Sequence, residues 1–397
     1  MKRQSSVLKT LKSDAQIQKN IAEIDALLGA AGLVRRRRGQ SPGIARQLRM
    51  ERAMPEELTV PAPEPRVAAN GVEWLVVDGW AKMPWLWAGF STRRGGVSRA
   101  YAAEGAPGEM NLGFTAADER AIVLENRRLL VEAVTGSLLI REVNSVVLSH
   151  PSRKKRGKDG APKSQYLIAG SIGTSKEETP LVPVRQFHSN LVIRLGKADA
   201  GRATPWKADG AITDEPGILL AVQTADCIPV LVADRRKRVV GAFHAGWRGT
   251  VKRIVELGVG RMRLEFGSRP EDLVAAIGPG IGACCYAVGD EVLTEFESQF
   301  VYGRELFREV YDSDPVRTKY PMLFLTQRAP GHSPIGPSLH LDLTAANRRQ
   351  LLDAGMGEKA ISVVGGCTQC QPELFYSHRG SHGHAGRMMG VIGVRPR

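Results

Sequence analysis

Cys227 and His244 stand in two short segments that read as strand ends, TADCIPVL and GAFHAGWRGT, and His188 lies upstream in RQFHSN. One thiol and two imidazoles are good zinc donors. Three protein ligands leave a fourth tetrahedral position open, as a catalytic ion requires and a structural ion avoids. The separations, 39 residues from His188 to Cys227 and 17 from Cys227 to His244, are too long for a zinc-finger knuckle. They suit a site assembled from separate strands. Singly, each residue has an ordinary alternative, since strand-end histidines are often structural and free cysteines are often buried and inert. Cys227 with His244 also reads as a nucleophile and its base. A four-copper centre needs several His-x-His pairs, and this chain has eight histidines with one such pair, His382-Gly383-His384.

Other segments carry polar chemistry. Phe90 to Ser98, FSTRRGGVS, is a glycine-containing loop whose Arg93 and Arg94 suit capture of phosphate or carboxylate. Asn111 in NLGF offers a further polar contact or a turn. Arg379 and Arg387 add cations near the C-terminus, where surface ion pairing is the plain alternative. Cys367-Thr-Gln-Cys370 has the spacing of a metal knuckle or redox pair; with no second CxxC it reads as core thiols or as thiols beside a ligand.

The elements that must position these groups alternate through the second half of the chain. Val184–Phe187, Asn190–Leu195, Ile218–Gln223, Ile228–Ala233, Val239–Phe243, Leu273–Ile277 and Ile361–Val364 are short β-forming runs bounded by turn residues. Thr250–Phe266 carries a helical stripe of Val251, Ile254, Val255, Val259 and Met262, and Val288–Phe300 and Leu343–Ala354 read as helices. Strands mixed with helices point to an α/β or α+β class, a layered sandwich with a mixed sheet and flanking helices.

Charge separates this part of the chain from its appendages. Residues 1–70 hold 13 basic and 7 acidic side chains, and residues 151–180 hold 7 and 3, so these segments carry +10 of the net +14. The first reads as a basic, disordered tail with one amphipathic helix at 17–34, and the second as a basic surface insertion in a domain spanning 71–397. Neither Arg35 to Arg38 nor Arg153 to Arg156 has interleaved aromatics, so nucleic acid is expected as a partner only through the tail. Membrane contact is not expected, because no apolar run approaches the roughly 18 residues of a span. Five scattered cysteines argue against a disulfide framework and for a reducing, cytoplasmic setting.

From about Trp74 to Ile392 the chain resembles the bacterial YfiH-like family, variously described as laccase-domain polyphenol oxidases, purine nucleoside phosphorylases or peptidoglycan editing factors. The resemblance runs in order through FSTRRGGVS, NLGF, ENRRLL, QFHSN, ADGAIT, TADCIPVLVAD, GAFHAGWRGT, AAIGPGIGACCYAVGDEV, LDLTAANRRQL, FYSHRG and GRMMGVIG. It implies an α/β sandwich, and zinc held by His188, Cys227 and His244, with copper the less favoured metal. It implies phosphorolysis of adenosine, inosine and methylthioadenosine, with adenosine deamination beside it. Arg93 falls on the family arginine near the substrate, so Arg93, Cys227 and His244 are the expected catalytic residues. Substrate contacts are expected from Arg93, Asn111, Asp209, Asp226, Arg379 and Arg387, the two aspartates either orienting a ligand histidine or accepting a ribose hydroxyl. One departure is Ala287, where the family usually has glutamate. The competing readings are a Cys-His hydrolase acting on peptidoglycan precursors and, more weakly, copper-dependent phenol oxidation.

Overall fold

Alternation along the strands builds three apolar layers. In strand Leu219–Thr224, Leu219 and Ala221 face one way and Leu220 and Val222 the other, and all four are buried. The same period of two sends Val230 and Val232 to one face of strand Ile228–Asp234 and Leu231 and Ala233 to the opposite face. Strands apolar on both faces must be covered on both, and two sheets packed together with helices outside satisfy that requirement.

The computed structural model describes residues 64–136, 180–200, 204–310 and 338–397. The expected helix at 17–34, the tail to residue 63 and the basic insertion, apart from Pro180, lie outside the described residues. One six-stranded sheet runs in the order Arg66–Val67, Glu73–Leu75, Leu86–Ser91, Met388–Val394, Leu219–Thr224 and Leu181–Pro183. The other runs Ile361–Val363, Leu273–Ile277, Ile228–Asp234, Val240–Ala245, Gly210–Thr213 and Val192–Arg194. Both are mixed: the last pair of the first sheet and both edge pairs of the second are parallel, and the other pairs are antiparallel. A small third sheet joins Ala287–Val288, Ser338–Leu341 and Phe307–Val310.

Phe90, Leu220, Val222 and Ile392 of the first sheet meet Leu231, Ala233, Val240, Ala242 and Ala276 of the second in the central layer. Helix Arg120–Thr135 covers the outer face of the first sheet with Leu130 and Val134. Helices Ile254–Phe266 and Leu343–Asp353 cover the second. The expected layered sandwich is the observed class, with two large sheets.

Two elements differ from the sequence expectation. The strand expected at Val184–Phe187 lies at Leu181–Pro183, because parallel pairing with Leu219–Ala221 selects that register, and only an isolated bridge remains at Arg185. The helix expected from Thr250 is two helices, Trp247–Val251 and Ile254–Phe266. Arg253, left-handed at φ 61°, interrupts them, and its guanidinium bonds Glu256 and the Gln299 carbonyl. The apolar stripe itself is buried as expected. At Gly258 a Cβ would overlap the Phe243 ring, so glycine permits the close approach of helix to sheet.

Candidate metal centre

Strand Val240–Ala245 carries His244 as its last residue but one, just before Gly246 and the short helix it introduces, while the adjacent strand Ile228–Asp234 begins just after Cys227. Their antiparallel pairing, with Ala245 opposite Ile228, puts His244 and Cys227 at the same end of the sheet. His188 reaches them from the loop before strand Val192–Arg194. The sulfur of Cys227 lies 3.8 Å from His188 Nε2, and the two imidazole rings stand 4.9 Å apart, edge to face. Gly246 leaves the room: a Cβ there would sit 2.9 Å from the Cys227 sulfur and 3.0 Å from His188 Cδ2.

One buried carboxylate holds the arrangement. Asp209, with no exposed surface, accepts from the backbone N–H groups of Phe187, His188 and Ser189 and from the Ser189 hydroxyl. Those bonds fix His188 at a left-handed φ of 62°. Its Oδ1 also lies 2.9 Å from His244 Nδ1. A carboxylate can only accept, so Nδ1 carries the proton and Nε2 is left to face Cys227. Burial pushes Asp209 toward its neutral form, but His244 and Ser189 outweigh it and bring its pKa down to about 2. Burial likewise opposes charge on Cys227 and on His244. Attraction to His244 and the bond from His188 nonetheless lower the Cys227 thiol to about 6, while Cys227 and Asp209 raise His244 to about 9.

The three donors fit a zinc ion. Zn–S and Zn–N bonds at a tetrahedral angle put sulfur and nitrogen about 3.6 Å apart, close to the observed 3.8 Å, and the three ligand atoms lie within 4.8 Å of one another. His188 is exposed, Cys227 half-buried and His244 buried, so solvent reaches the cluster from the His188 side. The Asp209–His244 pair is the carboxylate–histidine arrangement typical of bound metals.

The other expected site residues divide into two groups. Asp226 and Arg379 converge on the trio: Asp226, left-handed at φ 86°, precedes Cys227 and accepts from the Thr368 hydroxyl and the Arg379 amide. Arg379 donates to the Ala287 carbonyl and lies over the Tyr286 ring. Arg93, Asn111 and Arg387 bond with one another or with other residues. The Arg93 guanidinium pairs with Glu109, bonds the Pro372 carbonyl and stacks on Tyr376. Fully buried Asn111 bonds Gly113 and Asp118 and accepts from the Arg387 amide, and Arg387 turns its side chain onto the Ala385 and Gly386 carbonyls. Asn111 has no exposed surface, and the Asp209 oxygens are engaged by the 187–189 loop and by His244, which favours the first of the two roles expected for Asp209, that of orienting a histidine.

Sequence reasoning passed over Arg248 and Tyr286. Beside the trio a groove of about 400 Å³ is lined by Trp247, Arg248, Tyr286, Ala287, Glu291 and Arg379. The Arg248 guanidinium stacks on Trp247 and makes no hydrogen bond or ion pair with another described residue. The available signal was its place in HAGWRGT, three residues past the end of the strand's pairing. A larger hollow of about 770 Å³, against the N-terminal strands and the end of helix Arg120–Thr135, is not lined by His188, Cys227 or His244.

Fold and donor set define a class: a two-sheet α/β protein with a His-Cys-His centre open on one side. A family model described as multi-copper polyphenol oxidoreductase laccase matches residues 162–395. The chain is 30% identical over 332 residues to purine nucleoside phosphorylase YlmD of Bacillus subtilis, covering 81% of this chain and 94% of that protein. It is 32% identical over 222 residues to adenosine deaminase RL5, from an unknown prokaryotic organism, covering 54% and 75%. The crystal structure of YfiH from Bacillus licheniformis superposes with a TM-score of 0.60 at 26% identity, covering 83% of this chain and 99% of that one. The chain belongs to this laccase-domain family of YlmD and YfiH proteins. Among the described residues no helix is long and apolar enough to cross a membrane.

Proposed function

We propose that the protein is a zinc-dependent purine nucleoside phosphorylase acting on adenosine, inosine or methylthioadenosine, with adenosine deamination as a side activity. The observation that carries this reading is the pair of arginines beside the donor trio. Phosphorolysis joins a phosphate oxygen to C1′ of the ribose as the C1′–N9 bond breaks, and the purine leaves with a proton. The protein must therefore hold a dianion in line with that bond. Arg248 and Arg379 project into one groove, each set on an aromatic ring, so both cations are positioned before phosphate arrives. Ala287, in place of the family's usual glutamate, leaves Glu291 as the acidic residue lining that groove. Burial and the nearby Cys227 charge push the Tyr286 hydroxyl up to about 12, so it stays protonated and can donate.

Zinc held by His188, Cys227 and His244 would supply Lewis acidity at its open fourth position. Asp209 keeps the His244 proton on Nδ1, and Gly246 keeps the space beside Cys227 clear. Eight histidines with one His-x-His pair do not furnish a multicopper cluster, which favours zinc over copper. The relative named adenosine deaminase supports the side activity.

The test is turnover of adenosine and inosine by protein of known metal content, with and without phosphate. Phosphate-dependent release of purine base and ribose 1-phosphate, lost together with zinc in Cys227→Ser, is the expected result. Base release independent of phosphate, or none from zinc-loaded protein, would overturn it. Nucleoside turnover by metal-free protein would overturn the zinc dependence and leave the acidified Cys227 thiol as the candidate nucleophile.

A further inference from the structure

The four cysteines outside the trio meet at one place. Cys284 and Cys285 follow strand Leu273–Ile277, and Cys367 and Cys370 follow strand Ile361–Val363. These strands pair in parallel, with Ala275 opposite Ile361 and Ile277 opposite Val363, so the turns beyond them emerge at the same edge. A bridge from Gly280 to Cys367, reinforced by the Thr368 amide donating to the Gly280 carbonyl at 3.0 Å, holds the turns together. The Cys370 sulfur lies 3.5 Å from that of Cys284 and 3.3 Å from that of Cys285, and all four sulfurs lie within 4.8 Å of one another. Four sulfurs around one zinc stand about 3.8 Å apart, given Zn–S bonds near 2.3 Å. The Gly282 amide points at the Cys367 sulfur at 3.2 Å, as backbone amides do toward sulfurs that carry charge.

We infer that Cys284, Cys285, Cys367 and Cys370 bind a second zinc ion, a four-thiolate structural site separate from the His-Cys-His centre. Four soft donors select zinc over calcium or magnesium, and four protein ligands leave no position for substrate. Thiolates are the ligating form, so binding of the ion releases protons.

The position gives the ion work to do. Thr368, between the two knuckle cysteines, donates to Asp226 Oδ1 at 2.7 Å, and the Ile281 amide donates to the Asp226 carbonyl at 2.8 Å. Asp226 precedes Cys227, and Tyr286 of the groove follows Cys285. The second ion therefore clamps the two turns that hold the left-handed Asp226 and one wall of the groove. This inference concerns metal content and does not depend on the nucleoside reading.

The test is metal analysis of the full-length protein purified under reducing conditions without chelator. Wild type should hold two zinc ions per chain. Cys227→Ser should keep one, and its cobalt-substituted form should show the charge-transfer band of a four-thiolate site. The double variant Cys367→Ser, Cys370→Ser should lose that ion, keep the other and melt at a lower temperature. Zinc-edge X-ray absorption of wild type covers the case in which the variants do not fold. A single zinc with one sulfur neighbour overturns the inference. So does Cys227→Ser protein whose other four thiols bind no metal and react freely with a thiol reagent, or a native disulfide among them detected by intact mass.

Discussion

The two donor clusters sit on neighbouring loops of one sheet and are held in different ways. His188 and His244 are fixed by a buried carboxylate that accepts from three backbone amides, a hydroxyl and an imidazole. The four cysteines are gathered by backbone pairing between two turns, with Gly282 donating to one sulfur. The first scaffold stands before any metal binds: its donors are preset in position and direction, and one side faces solvent. The second brings four sulfurs within 4.8 Å of one another on two turns, so its ion is expected to complete the structure. A rigid frame with an open position suits chemistry, and a closed thiolate set suits a clamp.

Substitutions at the trio should break the contrast most sharply. Cys227→Ser is expected to remove one zinc and reduce phosphorolysis to background, with the four-cysteine ion retained; metal analysis and turnover on the same sample check both. Arg248→Ala should lower kcat/KM for phosphate by about ten- to a hundredfold, as loss of a charge-assisted hydrogen bond implies, while zinc content stays at wild-type level. Asp209→Asn should weaken zinc at the trio by about 10- to 100-fold, the usual effect of losing a metal-histidine's carboxylate partner, and competition with a chromogenic chelator measures it. Gly246→Ala crowds the Cys227 sulfur and the His188 ring, and an overpacking cost of about 1–3 kcal/mol should appear as weaker zinc at the trio only. The smallest effect on turnover is expected from Cys367→Ser with Cys370→Ser, a few-fold at most, because those thiols reach Cys227 only through Thr368 and Asp226.

Much of the centre was legible in the sequence because its signals are local. TADCIPVL and GAFHAGWRGT mark Cys227 and His244 as ends of apolar β runs, and the strands bear this out. Asp209 was already a choice between histidine and ribose, and its burial and its bond to His244 favour histidine. The arginines were harder to assign. Arg93 in its glycine loop looked free for an anion, but Glu109, sixteen residues on, folds back to neutralise it. Arg248 stood in the recognised segment without an assigned role, because its value depends on Arg379 arriving from a distant turn. The CxxC at Cys367 seemed unaccompanied because its companions are adjacent cysteines rather than a second CxxC, 85 and 86 residues away from Cys370.

The sequence by itself determined the layered α/β class and singled out His188, Cys227 and His244, which the fold brings together. Side-chain period and strand-end chemistry are written in consecutive residues and survive without knowledge of neighbours. Only the tertiary structure decided which arginines share a groove and that four cysteines converge. Those outcomes follow from which strands pair and in which direction: the parallel pairing of Leu273–Ile277 with Ile361–Val363 sends two distant turns out of the same edge, a relation set by loop closure and packing across the sheet.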